Sequence, residues 1–269
     1  MSRNGFLSLL FHAVFIIFSM APIVIVCLVA FTPTGYLSVP VTSFSLRWFA
    51  ALYERGDFLG SALTSLWLGL AASTIALILS VPAALAIFRY RFYGREAFLS
   101  LLQSPLMIPH VVLGIAFLRF FSQIGLTGTF AGLVIAHVIV VIPFTMRMVL
   151  SNAGSLDASV ESAAESLGAG PLTTFRRITL PMLVPGLAAG WLLAFITSFD
   201  ELTMTTFIAS PQTVTLPVRM FNYIQDNIDP LVAAVSAALI GVAVLVMVIL
   251  DRLFGLDRLL VGGEQKGSS

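Results

Sequence analysis

Charged residues are scarce in this sequence. Only 10% of the 269 residues are charged, 58% are hydrophobic, and the mean hydropathy is +1.01. A soluble domain carries about 25% charged residues. The composition therefore excludes an ordinary soluble protein and predicts an integral membrane protein.

Cysteine and the common catalytic motifs are also missing or nearly so. The one cysteine, Cys27, lies in an apolar run, which excludes an internal disulfide and argues against a metal cluster. The sequence has no phosphate-binding loop G-x-x-x-x-G-K-[ST], no H-E-x-x-H and no G-x-S-x-G. No catalytic residue and no metal site are predicted, and if the process uses ATP, another chain must bind it.

Long apolar runs dominate what is present. The first of these runs is too long for a signal peptide and lacks a signal-peptide cleavage site. Prolines in the third run predict a kink, and a G-x-x-x-G at Gly186 and Gly190 predicts close helix packing in the fifth. The sequence thus predicts an all-α polytopic protein, a single transmembrane domain over residues 1–269 with six spans. The spans are about 5–31, 60–88, 97–121, 129–147, 185–209 and 231–250.

The distribution of basic residues sets the orientation. Ten lysines and arginines fall on the side that holds both termini and the insert at 150–184, and four fall on the other side. The larger group is Arg3, Arg89, Arg91, Arg95, Arg147, Arg176, Arg177, Arg252, Arg258 and Lys266; the smaller group is Arg47, Arg55, Arg119 and Arg219. Because basic residues concentrate in cytoplasmic loops, both termini and the insert, including Ser155, are predicted to be cytoplasmic.

The most polar long stretch, residues 157–181, lies inside that insert. Asp157 is suited to cap a first short helix, and Gly168 stands where the helix should stop. Gly170-Pro171 restarts the chain into a second short helix that Leu180-Pro181 closes. Physical reasoning alone leaves open whether this amphipathic unit lies on the lipid surface or contacts another protein.

The spacing within the stretch resembles a known motif. The residues that carry the likeness are Ala163, Ala164, Gly168, Ile178, Leu180 and Pro181. They are similar to the EAA loop of permease subunits of bacterial ABC importers, in which coupling helices dock into the cytoplasmic ATPase. One position differs: Ser162 stands where the motif has its glutamate, and Glu161 comes one residue early, about 100° around a helix.

One acidic pair, Asp200 and Glu201, falls inside a predicted span. A carboxylate in the bilayer is costly unless it faces protein or water, so such residues are functional candidates. Thr197, Glu201 and Thr205 are four apart and predict one polar stripe lining a path that attracts a cation. The alternative is that the acids pair with Arg119 or cap a helix break.

Two histidines, His110 and His137, also lie in apolar spans. Neither has a second metal ligand at helical spacing. Each is therefore interpreted as a hydrogen-bonded packing residue rather than a ligand.

Further runs extend the resemblance to nearly the whole chain: Ser198-Phe199-Asp200-Glu201, Thr215-Leu216-Pro217 and Asn227 to Pro230. Together with the loop they resemble the second permease of spermidine/putrescine importers. The resemblance implies the type I importer fold, with the coupling helices between spans four and five, in a bacterial inner membrane. It also implies a second permease subunit, a cytoplasmic ATPase dimer that holds ATP and Mg, and a periplasmic substrate-binding protein, with no nucleic acid partner.

A second class of function stays open at this stage. An ion-coupled transporter or channel for a small cation could use Asp200 and Glu201 as ion ligands without an ATPase. It is less favoured because the sequence shows no inverted repeat and because it leaves the cytoplasmic insert without a role. A polytopic membrane enzyme is least favoured, since no nucleophile–base spacing occurs.

Overall fold

A computed structural model describes residues 5–154 and 156–254. Arg3, Ser155, Arg258 and Lys266, which entered the orientation argument, lie outside the described residues. The described part of the chain is helical and contains no strand. Its helices are α1 (Phe6–Ala30), α2 (Arg47–Glu54), α3 (Gly56–Arg89), α4 (Arg95–Gln103), α5 (His110–Ile124), α6 (Phe130–Ala153), α7 (Ala158–Ser166), α8 (Pro171–Thr174), α9 (Leu180–Phe199), α10 (Thr205–Ile208), α11 (Leu216–Asp226) and α12 (Leu231–Phe254).

Five of the helical stretches in the described residues are long and apolar enough to cross a bilayer, and a bent pair makes a sixth. The all-α polytopic architecture predicted from the apolar runs is therefore confirmed. The bent pair is the third predicted span, where Arg95–Met107 and His110–Ile124 meet at 103°. The break is sharper than the kink expected there, and it falls at Pro109, which cannot donate a helical hydrogen bond.

The chain divides into two compact units. One comprises the residues up to Leu59 together with those from Met220 onward, and the other comprises Gly60–Arg219. In the first unit α1 packs against α12, and α2 also packs against α12. The interpretation of residues 1–269 as a single permease domain stays a prediction.

The second unit is organised around the packing of α6 against α9. Gly186 and Gly190 face α6 so closely that a Cβ at Gly186 would lie 2.5 Å from the Cβ of Asn152, and one at Gly190 would lie 3.3 Å from the Cα of Thr145. Glycine allows backbones to approach because it has no side chain. The close packing predicted from the G-x-x-x-G is confirmed.

Candidate functional site

Helix α9 ends earlier than the apolar pattern predicts. The sequence predicts a span to residue 209, but the helix stops at Phe199 and Asp200 caps it, its N–H donating to the Ile196 carbonyl at 3.0 Å. The chain then leaves the helical path until α10 begins at Thr205. Thr197, Glu201 and Thr205 consequently do not form the one polar stripe that a continuous helix would give, and that expectation is wrong.

The break after α9 meets the break before α5. His110, the first residue of α5, places its Nδ1 2.6 Å from Oε2 of Glu201. The other oxygen of Glu201 accepts the Met204 N–H at 2.6 Å. Glu201 is only 6% exposed and His110 34% exposed. One carboxylate therefore joins the two interrupted spans and also satisfies a backbone donor that the interruption leaves free.

Arg119 is not the partner that the alternative interpretation named. Its side chain is exposed and makes no ion pair with any residue that the structure describes. Glu201 pairs with His110 instead. Of the two forms of that alternative, pairing with Arg119 is wrong, whereas capping of a helix break agrees with the structure, because Glu201 accepts the Met204 N–H at the break after α9.

His137 bridges the same break from α6. Its Nδ1 lies 2.8 Å from Oγ of Ser198, in the last turn of α9, and its Nε2 lies 3.0 Å from Oγ1 of Thr205. All three side chains are buried. His137 is thereby confirmed as a hydrogen-bonded packing residue, and His110 is hydrogen-bonded too, to Glu201.

The two adjacent acids have opposite surroundings. Asp200 is exposed, and its carboxylate has neither a hydrogen bond nor an ion pair with the described residues, whereas Glu201 is buried and held at both oxygens. Thr197 is half-buried and donates to the Leu193 carbonyl of its own helix at 2.8 Å. Thr205 is fully buried beside His137. Of the four predicted path residues, Asp200 is the one with a free charge.

Packing holds the segment after the break against α5. A Cβ at Gly114 would lie 2.7 Å from the ring of Phe207 and 3.2 Å from the Cα of Met204. Met204 and Ile208 are fully buried in an apolar cluster with Leu113 and Phe121. The interruption is thus a fixed part of the fold rather than a frayed helix end.

The loop between α6 and α9 begins with the predicted cap and turn. The Asp157 carboxylate accepts the Ser159 N–H at 2.8 Å, and hydrogen bonds from the side chain and the backbone of Ser159 hold the pKa of Asp157 below its usual value. Helix α7 ends at Ser166, and Gly168 follows with a φ of +85°. Only glycine adopts this left-handed conformation without cost.

The second half of the loop is not a separate closed helix. Helix α8 starts at Pro171 and continues through a wider, π-helical turn at Phe175–Thr179 into α9. Pro181 lies just beyond this turn and has no N–H, which fits a local change of hydrogen-bond pattern. The expectation that Leu180-Pro181 closes the unit is therefore wrong, because the predicted second helix is the first part of span five.

The predicted coupling residues divide by exposure. Ser162, Ala163, Gly168 and Pro181 are exposed, and Ala164, Ile178 and Leu180 are half-buried. Two large apolar side chains beside them are unusually open, Leu167 at 88% and Leu172 at 69%. Glu161 instead turns inward and pairs with Arg89, the last residue of α3.

Comparison with known proteins identifies the family. Residues 76–256 match the model described as "Binding-protein-dependent transport system inner membrane component". The chain is 30% identical over 251 residues to the spermidine/putrescine transport system permease protein PotC of Haemophilus influenzae, covering 93% of this chain and 95% of that protein. It is 32% identical over 231 residues to the putrescine transport system permease protein PotI of Escherichia coli K12, covering 83% and 82%.

A solved structure supports the same fold. The chain is similar to one from a bacterial ABC transporter involved in the import of the acidic polysaccharide alginate, with a TM-score of 0.75 at 18% identity, over 94% of this chain and 99% of that chain. The family match covers well over half of the sequence and includes both the helix break and the loop at residues 157–181. The chain therefore belongs to the inner-membrane permeases of binding-protein-dependent transport systems, and it is a multi-pass permease subunit of an ATP-driven ABC importer.

Proposed function

We propose that this permease forms the translocation path for a polyamine such as spermidine or putrescine, or for a related amine, and that Asp200 is the charged residue in that path. The observation that carries the proposal is the exposed, unpaired carboxylate of Asp200 at the interruption of a membrane helix. The names of the relatives PotC and PotI support the substrate class.

A free carboxylate suits an amine for an electrostatic reason. An ammonium group that leaves water for a passage of lower dielectric loses hydration. Two unit charges about 4 Å apart attract by roughly 4 kcal/mol at an effective dielectric of about 20. Even a quarter of that is about a fivefold effect on a rate.

Glu201 serves this function indirectly. Its two oxygens are occupied by His110 and by the Met204 N–H, so we assign it, together with Thr205, to holding the break open beside Asp200. Thr197 stays a candidate path residue on the last turns of α9.

The cytoplasmic loop is the proposed ATPase-docking surface. The exposed Leu167 and Leu172 lie among the coupling residues, namely Ser162, Ala163, Ala164, Gly168, Ile178, Leu180 and Pro181. The partners we propose are a second, related permease subunit, a cytoplasmic ATPase dimer that binds ATP and Mg, and a periplasmic binding protein that delivers the substrate. ATP hydrolysis is assigned to the ATPase and not to this chain.

The test of the path is Asp200→Asn, which keeps shape and removes charge. The complete importer carrying it should take up labelled putrescine and spermidine about fivefold more slowly, with assembly and substrate-independent ATPase activity unchanged. Asp226→Asn is the matched control, because Asp226 is another exposed aspartate, in α11, with no predicted role. Equal uptake by wild type and the Asp200 variant would remove Asp200 from the path.

Orientation is tested by labelling. We propose that both termini and the loop are cytoplasmic. In a background without Cys27, an impermeant thiol reagent applied from outside should label a cysteine at Gln212 and should not label one at Ser166, since both positions are exposed. The reverse labelling pattern would overturn the orientation and the docking assignment with it.

A further inference from the structure

We infer that Glu161 does not contact the ATPase but, with Arg89 and Thr179, forms a strut that fixes the coupling helix α7 to two membrane helices. The inference rests on the proposed docking role of the loop and assigns a positioning function within it. The three residues come from three elements: the end of α3, the middle of α7 and the π-helical turn that leads into α9.

The geometry converges on one atom. Oε1 of Glu161 accepts hydrogen bonds from the Arg89 guanidinium and from the Thr179 hydroxyl. The same Arg89 nitrogen lies 3.4 Å from the Thr179 hydroxyl, so the contacts close a triangle. Thr179 is buried, and the Glu161 and Arg89 side chains are 21% and 35% exposed.

Most of the described side chains of α7 are exposed, which gives the strut its importance. The helix has nine residues, and a helix that short is marginal in water by itself. Its apolar residue Val160 is 42% exposed, Leu167 just after the helix is 88% exposed, and Ala163 is exposed too. On its C-terminal side the chain passes through the left-handed Gly168. The charge-assisted contacts at Glu161 are therefore what sets the direction of α7 relative to α3 and α9.

The strut also accounts for the one departure from the family motif. Glu161 stands one position before the usual glutamate, which turns it about 100° around the helix. It therefore faces the membrane helices and leaves Ser162 on the exposed side. A residue that holds α7 in place acts on the transmission of movement and not on the affinity for the ATPase.

The experiment compares Glu161→Gln with Glu165→Gln in the complete importer. Glu165 lies one turn further along α7, is exposed, and makes no ion pair among the described residues, so its variant removes the same charge without touching the strut. Co-purification with the ATPase, ATP hydrolysis and substrate uptake are measured in parallel. We expect Glu161→Gln to keep the ATPase bound and to raise the ATP hydrolysed per substrate imported severalfold, while Glu165→Gln matches wild type.

A charge exchange provides the second arm. Arg89→Gln should reproduce the uncoupling, and Arg89→Glu combined with Glu161→Arg should restore part of the lost uptake, because the pair can form in the opposite sense. Loss of the ATPase from the complex in Glu161→Gln, or equal behaviour of the two glutamate variants, would overturn the strut. A different result would show that the loop does not dock the ATPase at all. In that case Gly168→Leu would leave ATPase stimulation at the wild-type level.

Discussion

Two glutamates of the second unit, Glu161 and Glu201, are held in the same way in opposite surroundings. Each pairs with a basic side chain far away in the sequence, Arg89 or His110, and each accepts a second hydrogen bond close to a helix irregularity. The Glu161 pair is partly hydrated, whereas Glu201 is buried between interrupted membrane helices.

The difference shows what each pair can do. An ion pair open to water contributes about 0–1 kcal/mol to stability, so its value lies in fixing a direction. Removing one partner from a buried pair leaves a charge or a donor without compensation, which costs about 3–5 kcal/mol. The partly hydrated pair of Glu161 and Arg89 is therefore suited to transmitting movement. The pair of Glu201 and His110 is suited to maintaining an irregular backbone inside the membrane.

The largest effect is expected from Glu201→Ala. The variant deprives the Met204 N–H and His110 of their acceptor, so the complex should lose about 3 kcal/mol of stability, measured as a lower thermal midpoint and less assembled importer in detergent. Glu201→Gln should lose much less, because its amide oxygen can still accept from Met204.

Arg119→Gln is the control for that prediction. Arg119 makes no ion pair within the described residues, so its neutral variant should keep the wild-type thermal midpoint. A drop in the Arg119 variant as large as that in Glu201→Ala would contradict the assignment of His110 as the partner.

A smaller effect on stability is expected from Gly168→Leu, in the turn between α7 and α8. At a φ of +85°, a residue with a Cβ costs about 1–2 kcal/mol, and the loop lies outside the membrane core. Transport should stop because the turn before α8 changes direction, while membrane insertion stays normal. Uptake by the complete importer and surface labelling measure the two properties.

Gly170→Leu is the matched variant for that experiment. Gly170 has an ordinary φ of −73° and, like Gly168, open space where a Cβ would be. It should therefore transport far better than the Gly168 variant. Gly168→Ala separates strain from bulk, since it adds the strained Cβ without the large side chain. Near-equal transport by Gly168→Leu and Gly170→Leu would contradict a conformational role.

The smallest effect is the coupling energy between Arg89 and Glu161. A double-mutant cycle with Arg89→Gln and Glu161→Gln, read from thermal stability, should give no more than about 1 kcal/mol. That energy should shrink as salt rises from 0.05 M to 0.5 M, because exposed charges are screened. The coupling energy between His110 and Glu201, measured in the same way, should change little with salt. A similar salt dependence of the two coupling energies would contradict the difference in hydration between the two pairs.

Most of the helices could be predicted because their signals are local. Apolar runs predict the positions of the spans, and the spacing of Gly186 and Gly190 predicts the close packing of α9 on α6. The cap at Asp157 and the left-handed turn at Gly168 also follow from single residues with strong conformational preferences.

The helix break at residues 200–204 could not be predicted in the same way. The run Asp200-Glu-Leu-Thr-Met204 contains neither glycine nor proline, so its helical spacing suggests that α9 continues. The interruption is stabilised by His110 and His137, which lie more than 60 residues away in sequence. The available signal was that two histidines and an acid sit in apolar runs where each must find a polar partner.

The continuity of α8, the π-helical turn and α9 has a mechanical consequence. Residues 171–199 form one rod of 29 residues, about 43 Å long at 1.5 Å per residue. The close contacts of Gly186 and Gly190 with α6 lie about 25 Å from the Pro171 end of this rod and ~18 Å from Asp200. If the rod pivots at these contacts, a sideways push of about 4 Å at the Pro171 end moves the Asp200 end by roughly 3 Å in the opposite direction, in proportion to the two arms. In the arrangement that we propose, the longer arm of this lever lies beside the ATPase and the shorter arm carries Asp200.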